Sequence, residues 1–87
     1  MHPWLENASG KLAASVGDDP SAYGLTQADV DDLLDLARIA AHESGERTNA
    51  PLLAYLAGLA RGRHPDRLLA DLVDDAVDRR PEPSSPA

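Results

Sequence analysis

The residues able to do chemistry are few. The chain has three histidines (His2, His42 and His64), fifteen carboxylates, eight cationic side chains and no cysteine in 87 residues. Without thiols there are no disulfides, no thiolate nucleophiles and no Cys-ligated metals. A zinc-protease helix sets two histidines four residues apart so that both imidazoles reach one ion. His42-Glu43 opens such a pattern, but Glu46 stands where the second histidine belongs. The histidines fall in three different segments, so neither a metal nor another cofactor is expected.

General acid–base work needs two ionisable groups in a pocket that shifts their pKa values. His42 with Glu46 is the one histidine-bearing pair that shares a helical face. Near a helix C-terminus, however, an imidazole is already favoured by the dipole and the last carbonyls, which is the ordinary structural role. Contact with a partner is the alternative to it. Ser44-Gly45 lacks the strand and preceding glycine of a nucleophile elbow. Gly58, Gly62 and the single Lys11 make no phosphate loop. No enzymatic activity is expected.

Arg61, Arg63, His64 and Arg67 form the one basic concentration. Placed around the N-terminus of a fourth helix, they would join free backbone N–H groups in holding a phosphate or carboxylate. The plainer reading is that they satisfy the C-terminal dipole of the third helix, and that Arg79-Arg80 do the same for the fourth.

The elements that position these groups read as helices. Apolar residues are mostly Leu and Ala, with no Phe, one Trp and two Tyr, and no segment sustains period-two alternation. Helices are expected at about 3–16, 27–44, 50–61 and 65–79, in one domain spanning 1–80. The first starts at Pro3, with Trp4, Ala8, Leu12 and Val16 spaced by four and Trp4 filling the core. Residues Asp18–Gly24 form an acidic loop with turn signals at Asp19-Pro20 and Gly24.

Thr26 and Asp29 start the second helix, with Leu25 and Val30 as a staple. Its stripe is Val30, Leu33, Leu34, Ala37 and Ala41, broadened by Leu36 and Ala40, while Asp31, Asp32 and Asp35 form a solvated face. Arg38 can pair with Asp35, and Arg47 with Glu43. In the third helix, capped by Thr48 or Asn49, Leu52, Leu53, Leu56, Leu59 and Ala60 face inward. Ala54, Gly58 and Gly62 recur every four residues, which would allow close approach of another helix. The fourth starts at Pro65 and carries Leu68, Leu69, Leu72, Val73, Ala76 and Val77. Residues 81–87, rich in Pro and Ser, form a disordered tail. The fold class is therefore all-α: a compact four-helix bundle-like domain with short connections.

At this length about 60–65% of the unfolded chain's surface is buried on folding, so stability is modest unless a partner adds to it. A net charge of −7 repels nucleic acid and anionic membranes, and neither is expected as a partner. The opening residues have no signal-peptide pattern and no apolar run reaches membrane-spanning length, so the cytoplasm is the expected compartment.

Trp4-Leu5, the run Leu33-Leu34-Asp35-Leu36-Ala37-Arg38-Ile39-Ala40-Ala41-His42, Glu46-Arg47, Ala50-Pro51-Leu52 and Tyr55-Leu56-Ala57-Gly58-Leu59-Ala60 together resemble a known family. It is a small actinobacterial helical domain of unknown function. It occurs free-standing or fused to the C-terminal side of molybdenum cofactor (molybdopterin) guanylyltransferase. The resemblance covers Trp4 to Val77 and implies an association with molybdenum cofactor maturation, not transferase activity. The transferase chemistry of the fused proteins belongs to a separate α/β nucleotide-binding domain. Arg38, His42, Arg47 and Pro51 match the family's polar signature and are candidate interface residues. Glu46 beside them and Tyr55, an aromatic anchor, complete that candidate surface. The chain departs from the pattern at Glu43-Ser44-Gly45, where the family favours glycine directly after the histidine.

Three functions follow. The first is a non-catalytic accessory or protein-interaction domain that docks on an enzyme such as the guanylyltransferase. The second is a binder of small phosphorylated ligands or nucleotides through Arg61–Arg67. The third is a homodimerisation module that pairs through Ala54 and Gly58.

Overall fold

The computed structural model describes residues 1–79; the tail expected at 81–87 lies outside the described residues. Among the described residues there are α1 (Pro3–Val16), a 3-10 turn (Pro20–Tyr23), α2 (Gln27–Ser44), α3 (Asn49–Arg63) and α4 (Leu69–Ala76), with no strand. The all-α class holds. Where the length argument gives one domain, contacts group the chain into two compact units, Met1–Val30 and the remainder from Asp31.

In the first unit, Pro3 opens α1 as expected, and His2 Nδ1 accepts the Trp4 N–H at 3.1 Å as the cap. Gly17 closes it at φ 77°, a left-handed conformation that glycine adopts without Cβ strain. The Asp18 N–H then returns to the Ala13 carbonyl at 2.9 Å. The expected acidic loop contains the 3-10 turn. Asp19 Oδ1 accepts the Ser21 N–H at 2.9 Å, and Tyr23 Oη donates to Asp18 Oδ2 at 2.6 Å. These bonds to Ser21 hold the Asp19 carboxyl below its ordinary value. The bond to Asp18 lifts the Tyr23 phenol above its own.

Trp4 does not fill a core: it is 72% exposed, and Leu12 and Val16 are exposed with it. Only Ala13 of α1 is buried. A four-residue 3-10 turn is too short to cover the stripe of a 14-residue helix.

The second unit holds the main core. Leu36, Ile39 and Ala40 of α2 meet Ala57 of α3, Leu69 and Val73 of α4 and Val77 just after it, with Leu33, Leu53 and Ala54 packed against them. Leu36 and Val73 are fully buried, each stabilising the fold by about 1.5–3 kcal/mol relative to exposure. The buried stripe of α2 centres on Leu36 and Ile39 instead of Leu33 and Leu34, and Leu34 is exposed. The start of α2 is the expected one. Asp29 N–H donates to Thr26 Oγ1 and Thr26 N–H to Asp29 Oδ2, both at 3.0 Å, a reciprocal capping box.

Two expectations fail here. α3 buries Ala50 and Ala57 and half-buries Leu53 and Ala54, whereas Leu52, Leu56 and Leu59, expected inside, face out. The small side is the one that lets α4 come close. Moreover, α4 begins at Leu69, not Pro65. Pro65 instead enters a turn closed by the Arg67 N–H on the His64 carbonyl at 2.9 Å, the position for which its fixed φ is suited. Leu68 is left exposed as the cap residue, and the helix stops at Ala76.

Candidate functional site

The join between α2 and α3 is built by short-range hydrogen bonds. Gly45 ends α2 at φ 72°, its N–H on the Ala41 carbonyl at 3.0 Å. Ser44 Oγ accepts the Glu46 N–H at 3.2 Å. The Glu46 and Arg47 carbonyls then accept the N–H groups of Asn49 and Ala50, both at 3.1 Å. Thr48 is the cap residue, although its side chain makes no cap bond. Pro51 falls in the first turn of α3, where no intrahelical N–H bond is lost.

The candidate interface residues on and around this join, Arg38, His42, Glu46, Arg47, Pro51 and Tyr55, are all exposed. Arg38 makes the expected pair with Asp35, at 3.5 Å. His42 lies in the last turn of α2. Glu43 does not serve Arg47; its Oε2 accepts the Asp78 N–H at 3.0 Å, tying the α2 end to the segment after α4.

The basic cluster is not assembled at a helix N-terminus. Arg61 and Arg63 lie in the last turn of α3, and the backbone N–H of His64, the C-cap, returns to the Ala60 carbonyl at 2.9 Å. Arg67 sits in the turn before α4 and pairs with Asp75 at 3.0 Å. The free backbone groups nearest Arg61 and Arg63 are therefore carbonyls, which favour the arginines themselves.

Arg79 has a role that the sequence reading missed. It does not close α4 by dipole contact. Its guanidinium bonds Asp32 Oδ1 at 2.7 Å and Asp74 Oδ1 at 2.8 Å, lies 3.7 Å from Asp35 Oδ2, and donates to the Ala70 carbonyl at 3.4 Å. Hydrogen bonds to Asp32 first, then Asp74, raise its pKa further above the ordinary arginine value. The Arg79 and Asp32 side chains are 19% and 20% exposed, so this part of the acidic face of α2 is an ion-pair cluster, not a solvated surface.

Two hollows adjoin at the end of this unit. One, of about 450 Å³, lies over Ala40, Leu52, Leu53, Leu56 and Val77, with Glu43 at its edge. The other, of about 690 Å³, is lined by Glu43, Asp74, Asp75, Asp78 and Arg79 among others. Beside the first hollow runs the outer face of α3. Leu52, Tyr55, Leu56 and Leu59 are 62, 69, 53 and 46% exposed and follow the i, i+3, i+4, i+7 rule of one helical stripe. Among the described residues, no group of three or more His, Asp or Glu is arranged to hold a metal ion. No described helix is long and apolar enough to cross a membrane.

A family model matches residues 1–84 of the chain. The chain belongs to the family Domain of unknown function (DUF6457). The match takes in α1 as well as the core of the second unit. No curated protein and no solved structure gives a significant match.

Among the residues flagged from sequence, Tyr55 is the one that lies on the exposed α3 stripe. The helical pattern alone places the three leucines beside it in the core. The available signal was the absence of any charge in α3 between Asn49 and Ala60, which leaves every face of that stretch without a charged side.

Proposed function

We propose that this domain is a non-catalytic protein-docking module, and that the outer face of α3 is what it presents. One observation carries the reading: Leu52, Tyr55, Leu56 and Leu59 form a continuous apolar stripe on a helix whose opposite side is already packed. Scattered exposed leucines are ordinary on a soluble protein; four large apolar side chains in one helical register are the arrangement a partner surface uses. His42, Glu46 and Arg47, exposed at the join, supply polar groups near it.

The partner favoured by the resemblance is an enzyme of molybdenum cofactor maturation, the guanylyltransferase foremost. The test is capture of the tagged full chain from its own cells, with bound proteins identified by mass spectrometry. Two variants are run in parallel, Leu52→Ser/Leu56→Ser and Arg38→Ala/His42→Ala/Arg47→Ala. Recovery of the guanylyltransferase by the wild type, lost in the leucine variant, supports the reading. Recovery undiminished by the leucine variant refutes the α3 face. Failure to recover that enzyme removes the molybdenum link.

A further inference from the structure

We draw no further inference here: the strongest candidate, the exposed apolar patch of Leu52, Tyr55, Leu56 and Leu59 on the outer face of α3, carries nothing beyond the docking reading because nothing in the structure shows what covers it.

Discussion

Replacing Arg79 by Met removes the guanidinium but keeps most of the unbranched stem. Asp32, only 20% exposed, then loses its 2.7 Å partner, and Asp74 loses one at 2.8 Å. Unit charges about 4 Å apart interact by roughly 1 kcal/mol in bulk water and roughly 4 kcal/mol at an effective dielectric of 20. Asp32 lies between these limits, and Asp74, 57% exposed, lies near the first. The loss is therefore about 1–3 kcal/mol, most of it from stranding Asp32. In a domain of this size each kcal/mol moves Tm by roughly 4–8 °C. Thermal and urea unfolding followed by far-UV circular dichroism measures the total. Double-mutant cycles with Asp32→Asn and Asp74→Asn apportion it, and the Asp32 coupling should be the larger and the less sensitive to salt. A wild-type Tm for Arg79→Met, or a larger coupling to Asp74, would refute this account of the cluster.

Three further outcomes are expected. Leu36→Ala should cost about 2–5 kcal/mol by leaving a cavity, whereas Leu56→Ala, on the exposed stripe, should stay within about 0.5 kcal/mol; similar losses in urea melts would mean that α3 is turned the other way. Thr26→Ala removes one arm of the capping box and should destabilise the fold by about 0.5–2 kcal/mol, with early fraying of the α2 start in hydrogen exchange. Because the folded Tyr23 phenol is raised above 10.0, its bond to Asp18 contributes fully below that pH and is lost as pH rises through the folded value. The ultraviolet difference titration between wild type and Tyr23→Phe should place Tyr23 above 10.0, and a midpoint at or below it would contradict the hydrogen bond.

What could be read from the residues depended on how local its cause was. The start of α2 was legible because Thr26 and Asp29 interact across three positions, and the bounds of α1 because Pro3 and Gly17 punctuate it. The start of α4 was not, since Pro65 suits both the first position of a helix and the second of a turn. The inward face of α3 was illegible for a different reason. From Pro51 to Ala60 apolar residues lie all round the helix, so periodicity offers no polar side to orient it. Its orientation follows from α4, which approaches over alanines. The Arg79 cluster joins residues 47 apart in sequence, and no local pattern announces such a pair. Of the candidate interface residues, their exposure was legible; that of the three leucines beside Tyr55 on α3 was not.

The brevity of α4 has a consequence for how the molecule opens. Eight residues are too few to hold a helix in water, where isolated segments shorter than about 12–15 residues are marginal. Its backbone bonds therefore exist because Val73 and Leu69 are seated, Arg67 grips Asp75, and Arg79 returns across Asp74 to Asp32. Release of that seat and loss of the helix are one event. The amides of α4 are thus a single gauge of undocking, and exchange there reports the free energy of that release, not the fraying of a helix end.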